Sequence, residues 1–294
     1  MAVKTIFYGI GAQKAATSWL FAELGGCAEV HLPLPKELHY WDVIRAPTMS
    51  VFRARAHLRK EQDAAGVGRN LLRRRFTAEG REKSRRLAAH ARLLESDGTD
   101  HGVYLDYLTR DAGAARLAGD ITPGYALLSR ATFAEMAALH PDTRFFFIMR
   151  DPVERLASGI KQSLSGAIGA AKDPARQAAI LSRAFAEAIR NPRDPARHRS
   201  DYAWTITELE AAVPRERILY LFYETLFAPE AAGRLGDFLG LDGFQPDISR
   251  RVNPSVTDAL GVPPDLEAEA RAALAPVYDF VRDRFANEVP GRWR

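Results

Sequence analysis

Thr5-Ile6-Phe7-Tyr8-Gly9-Ile10-Gly11 is an apolar, β-rich run. After a loop of small residues, Trp19, Leu20, Phe21 and Leu24 recur at helical spacing, so the chain opens as a strand turning sharply into a helix. The same alternation returns further along. Ala118–Tyr125 reads as a short strand ending in a loop, and Ala131–Leu139 as a helix. Thr143–Met149 is a continuous apolar run, the pattern of a central strand buried on both faces, and Pro152 starts a helix through Ile160. Helices are predicted over Pro174–Arg190, from Tyr202, over Pro229–Leu239 and over Pro264–Phe285, with another buried strand at Arg217–Phe222. Val30–Pro35 is too rich in proline for a helix and is expected to run extended along the surface. Strands alternating with helices imply an α/β fold: a central, mostly parallel sheet with helices on both faces. With no repeat, low-complexity tract or linker, residues 1–294 read as a single domain carrying a helical insertion at 47–118.

That insertion is basic as well as helical in pattern. Arg53, Arg55, Arg59, Lys60, Arg69, Arg73, Arg74, Arg75, Arg81, Lys83, Arg85 and Arg86 alternate with leucines at helix spacing. Such charge runs are chiefly the solvated faces of amphipathic helices, and the alternative is an acceptor-binding lid for an anionic substrate. The whole chain is only mildly basic, +4 over 294 residues, which suits an anionic ligand and falls far short of a nucleic-acid binder. A single cysteine, Cys27, excludes an internal disulfide framework and fits a reducing compartment. No stretch reaches the ~18–20 apolar residues of a membrane span. Gln13-Lys14 interrupts the first apolar run before a signal-peptide cleavage site could follow, so a cytoplasmic enzyme is expected.

Candidate chemistry gathers at the strand ends. The first strand-to-helix turn leaves helix N–H groups facing a loop that carries Lys14 and the hydroxyls of Thr17 and Ser18, which is a phosphate cradle. In an extended segment Glu37 and His39 would point to one side, two proton-handling groups near that cradle. Arg150 follows the most apolar strand, where open α/β sheets bind ligands, and Ser158 lies about two helical turns on. An ion pair of Arg150 with Asp151 or Glu154 is the structural alternative; an anion-binding role is preferred. The spacing fails the nucleoside-triphosphate loop Gly-x4-Gly-Lys-Ser/Thr, because two alanines separate Lys14 from Thr17. Gly-x-Gly-x-x-Gly, zinc-type Cys/His spacing and the Gly-x-Ser-x-Gly elbow are also absent.

Gln13-Lys14-Ala15-Ala16-Thr17-Ser18-Trp19-Leu20 resembles the 5′-phosphosulfate loop of sulfotransferases that use 3′-phosphoadenosine 5′-phosphosulfate. Arg150-Asp151-Pro152-Val153-Glu154-Arg155-Leu156-Ala157-Ser158 resembles their 3′-phosphate motif. Lys36-Glu37-Leu38-His39-Tyr40-Trp41-Asp42 is similar to the Lys-Glu-x-His-Phe-Phe-Asp segment of the heparan-type carbohydrate branch. Weaker matches run through Thr122-Pro123-Gly124-Tyr125, Tyr202 and Tyr223-Glu224 to Leu241. The resemblance implies a P-loop-like sulfotransferase fold and a reaction without metal. It further implies that Lys14, Ala15, Ala16, Thr17, Ser18 and Trp19 bind the donor's 5′ end, and Arg150 and Ser158 its 3′-phosphate. Glu37 would be general base, with Lys14 stabilising the leaving group and His39 and Asp42 orienting the site. The acceptor would be a hydroxyl or amine of a sugar, lipid or small metabolite. Ala16 stands where the family usually has glycine, so it must adopt a conformation that a Cβ tolerates. A nucleotide-dependent kinase and a non-catalytic polyanion or nucleotide binder are the alternatives.

Overall fold

A computed structural model describes residues 3–45, 77–171, 173–249 and 260–293. Five strands, β1 (Thr5–Gly11), β2 (Val30–His31), β3 (Leu117–Ile121), β4 (Thr143–Met149) and β5 (Ile218–Phe222), form one sheet in the order β2-β3-β1-β4-β5. Every neighbouring pair is parallel. Parallel pairing demands crossovers, and the crossover helices cover both faces, which is why β1, β3 and β5 are buried along their whole length. Glycines let the strands' aromatic rings lie across the neighbouring backbone. A Cβ on Gly119 would sit 2.1 Å from the Phe7 ring, and one on Gly9 would sit 2.5 Å from the ring of Phe146. The chain leaves β1 for β2 and β3 on one side and then crosses to β4 and β5 on the other. The carboxyl end of β1 is therefore the point where the winding reverses, and open α/β sheets place ligands there.

The α/β reading from sequence holds, with differences in detail. Val30–His31 is a short edge strand paired with β3 rather than a surface run. The final helix is two, Pro264–Ala273 and Ala275–Phe285, since Pro276 has no N–H to continue the first. In the insertion, helices span Ala78–Leu93 and Gly102–Thr109, whereas Arg53 to Arg75 lie outside the described residues. His90, buried on the first of these helices, bonds through Nε2 to the carbonyl of Leu38 at 3.0 Å and so ties the insertion to the segment holding Glu37. Among the described residues no helix is long and apolar enough to cross a membrane.

Candidate active site

The β1 strand ends at Gly11, and the amide of Ala12 donates to the carbonyl of Ile148 on β4 at 2.7 Å. The loop then turns through two left-handed residues, Lys14 at φ 73° and Ala16 at φ 61°. Ala16 immediately precedes the helix Thr17–Leu24 and offers no side-chain cap. The first N–H groups of that helix therefore carry the dipole's positive end into the loop without a cap to satisfy them. Ala12 and Ala15 are buried and small, which keeps the turn tight. Thr17 is buried and Ser18 half-buried. Trp19 packs its indole 4.9 Å from the Phe227 ring, and its Nε1 donates to the Asp247 carbonyl at 3.0 Å. The indole is thus engaged in packing, and only the backbone N–H of Trp19 belongs to the helix start.

Because β4 lies beside β1, its end delivers Arg150 to the same turn. Arg150 Nη1 donates to the Lys14 carbonyl at 3.1 Å. Nε and Nη2 reach Glu154 Oε2 at 3.3 and 3.1 Å, and the guanidinium lies 4.5 Å over the Tyr223 ring. The ion pair with Glu154 is thus real, yet it coexists with the contact to the loop. Asp151, only 1 % exposed, is the peg beneath this motif. Its Oδ1 accepts from the amides of Val153 and Glu154 and from the hydroxyl of Tyr278 at 2.9 Å, and its own amide donates to Glu224 Oε1 at 2.8 Å. The Tyr202 hydroxyl donates to the Arg150 carbonyl at 2.6 Å. Ser158 lies half-buried on the helix Pro152–Ser163, about two turns along.

The Glu37 segment corrects the sequence reading: it is not extended. Glu37 (φ 64°) and His39 (φ 55°) are both left-handed, and a helix begins at Tyr40. The two side chains nevertheless meet. Lys36 Nζ is 2.5 Å from Glu37 Oε1, Glu37 Oε2 is 3.6 Å from His39 Nε2, and His39 Nδ1 is 2.8 Å from Asp42 Oδ2. The turn after β3 comes up against this row. A Cβ on Gly124 would lie 2.6 Å from Asp42 Oδ2, so only glycine fits there.

The chain matches the sequence model of the Sulfotransferase family over residues 7–246. It belongs to that family. No curated protein sequence matches it. Among solved structures it is similar to a sulfotransferase from Alicyclobacillus acidocaldarius, at 20 % identity and TM-score 0.61 with 99 % of each chain covered. It is also similar to the sulfotransferase domain of the Synechococcus PCC 7002 olefin synthase, at 17 % identity and TM-score 0.53, covering 97 % of this chain and 95 % of that one. At these identities the likeness is one of fold, and the parallel five-stranded sheet is what they share with this sulfotransferase.

The row in this sulfotransferase alternates in charge. Burial works to raise the pKa of Glu37, but the His39 hydrogen bond and the Lys36 charge outweigh it and hold the carboxyl down to about 2. Burial likewise works to lower that of His39, and the bonds to Asp42 and Glu37 overcome it, lifting the imidazole to about 9. Glu37 is therefore held as the carboxylate and His39 as the imidazolium. Asp120 anchors the row from below and was not singled out by sequence. It accepts from the hydroxyls of Tyr104 and Tyr125 at 2.8 Å and of Thr122 at 2.7 Å, while the Tyr125 hydroxyl accepts from the amide of Tyr40 at 3.1 Å. The available signal was an aspartate inside the apolar run Leu117–Ile121. Asp151 and Glu224, which hold Arg150 in place, had no signal beyond their position in the motifs.

Proposed function

We propose that this sulfotransferase takes its sulfuryl group from 3′-phosphoadenosine 5′-phosphosulfate and delivers it to a hydroxyl or amine of a carbohydrate, lipid or small metabolite. The observation that carries the reading is the contact between Arg150 and the Lys14 carbonyl, which joins two anion-binding motifs at the reversal point of the sheet. The uncapped helix start, the small side chains of Ala12, Ala15 and Ala16, and an arginine bonded to the main chain of the lysine-bearing turn fit a nucleotide phosphorylated at both ends. When bound, the donor supplies an electrophilic sulfur on a phosphate leaving group.

In this reading Lys14 holds the 5′-phosphate and its bridging oxygen and offsets charge that builds there. The amides of Ala15 to Trp19 and the hydroxyls of Thr17 and Ser18 hold the phosphate oxygens. Arg150 and Ser158 take the 3′-phosphate, and so distinguish this donor from plain adenosine nucleotides. Glu37 accepts the acceptor's proton as the bond to sulfur forms; His39⁺ and Lys36 beside it favour its ionised form, so it waits as the carboxylate and gives the proton up again afterwards. His39 is held for that task by Asp42. Fixed cations supply the charge stabilisation, so the proposed reaction calls for no metal ion. The Lys36–Asp42 segment supports a place near the carbohydrate-type branch.

The test is turnover with labelled donor across sugar, lipid and small-molecule acceptors, in the wild type and in Glu37→Gln. The variant is expected to lose ~10²–10⁴ in rate while still binding adenosine 3′,5′-bisphosphate. Wild-type turnover by the variant would take the base role from Glu37.

A further inference from the structure

Arg155 stands between Arg150 and Ser158 in the chain, on the helix Pro152–Ser163, and is fully buried. Its Nε donates to the Ser200 hydroxyl at 2.6 Å, and its Nη2 donates to the Ala196 carbonyl. Ser200 in turn donates to the Pro152 carbonyl at 3.0 Å. Two residues on, the Tyr202 hydroxyl donates to the Arg150 carbonyl at 2.6 Å and accepts from the Arg150 amide at 3.3 Å. The guanidinium thus fastens residues 196–202 to the helix start, and that segment fastens the backbone of Arg150. The remaining nitrogen, Nη1, is buried with no hydrogen-bond partner. It lies along the helix beside Gly159, where a Cβ would sit 3.3 Å from it. Among the described residues no carboxylate forms an ion pair with Arg155.

A desolvated cation without a counter-charge is costly, and a hydrocarbon side chain of similar size often serves stability as well. Packing alone therefore does not account for an arginine at this position. What it adds is two directed bonds that a hydrocarbon cannot make, and both go to the segment that ends on Arg150. Ser158 lies three residues along the same helix, so the side chains at 155 and 158 are neighbours one turn apart. A phosphate held by Arg150 and Ser158 brings negative charge to within that turn, and supplies at short range what the buried guanidinium lacks. We propose that Arg155 is a positioning residue for the donor's 3′-phosphate: it holds Arg150 in place through Ser200 and Tyr202 and backs the phosphate with a buried positive charge. Burial pushes its guanidinium down to about 10, so it remains a cation at neutral pH. This inference rests on the assignment of Arg150 and Ser158 to the 3′-phosphate proposed above.

The test compares the affinities of adenosine 3′,5′-bisphosphate and adenosine 5′-monophosphate, which differ only in the 3′-phosphate, by titration calorimetry. The wild type should favour the bisphosphate. In Arg155→Met that preference should fall roughly 3- to 30-fold, the worth of about one hydrogen bond, while affinity for the monophosphate stays near that of the wild type. Arg155→Lys keeps the charge but cannot make both bonds, and it guards against a methionine variant that fails to fold; it should lose part of the preference. Because Arg155 acts through Tyr202, Tyr202→Phe should lower the preference too, and the double variant Arg155→Lys/Tyr202→Phe should lose less than the two single losses combined. An unaltered preference in either folded Arg155 variant would overturn the proposal. Equal loss of both nucleotides, the mark of a merely structural arginine, would overturn it as well, and so would full additivity with Tyr202→Phe. A wild type indifferent to the 3′-phosphate would strike the donor reading itself, and the proposal with it.

Discussion

The Arg150 guanidinium donates to the main-chain carbonyl of Lys14 at 3.1 Å, so the end of β4 is tied to the loop after β1. Arg150 therefore has two tasks under this account, to hold an anion and to brace the loop. Arg150→Ala should weaken adenosine 3′,5′-bisphosphate by roughly 10- to 100-fold, measured by titration calorimetry. Arg150→Lys should recover only part of this, because an ammonium cannot make the planar set of bonds to Lys14 and Glu154 together. Undiminished affinity in the alanine variant would remove Arg150 from the donor site.

Ala16 holds a left-handed backbone at φ 61° without the freedom of glycine. That conformation costs an L-residue ~1–2 kcal/mol, partly offset by the lower chain entropy of alanine in the unfolded state. Ala16→Gly should raise stability by about 0.5–1 kcal/mol, read as a Tm increase of a few degrees at most. Ala16→Val should lower it. A less stable glycine variant would contradict the strain assigned to this loop.

The charge row sets a pH profile. Glu37, at about 2, is ionised throughout the working range and gives no acidic limb there. His39, at about 9, loses its proton as pH rises through that value, so a Glu37-based mechanism supported by His39⁺ slows at that point. Were His39 the base, its neutral form would be required and the rate would instead climb towards 9. Stability follows the same group. The pKa of His39 is raised from 6.5, so its contribution is complete below 6.5 and is lost as pH rises to about 9. Melting curves across that window should fall in the wild type and flatten in His39→Gln.

The sheet was legible because its strands are apolar on both faces, and Thr143–Met149 could be nothing but a central strand. The Lys14 turn and Arg150 were legible because strand ends and helix starts punctuate the sequence. The shape of the Glu37 segment was not, since left-handed φ at Glu37 and His39 has no local signal when neither residue is glycine. What holds it is tertiary: Leu38 is bonded to His90, and Tyr40 to Tyr125 over Asp120, partners 52 and 85 positions away.

Gly124 supports the dyad by its lack of a side chain. A methyl there would sit 2.6 Å from Asp42 Oδ2 and 3.6 Å from His39 Nδ1. Gly124→Ala should displace the Asp42 carboxylate, costing ~1–3 kcal/mol in stability and lowering kcat more than donor affinity. Melting temperature, kcat and calorimetric affinity measured together check this. A variant with wild-type kcat would show that the Asp42–His39 contact does not matter to the reaction.

The central claim is that one bisphosphorylated adenosine spans the Lys14 turn and Arg150. Thermal shift of the wild-type protein tests it most directly, comparing adenosine 3′,5′-bisphosphate with ATP and Mg²⁺. At ~100 times its Kd the bisphosphate should add about 2.7 kcal/mol, a Tm rise of roughly 4 °C, while ATP with Mg²⁺ gives much less. A larger shift with ATP and Mg²⁺, or none with the bisphosphate, would contradict the account.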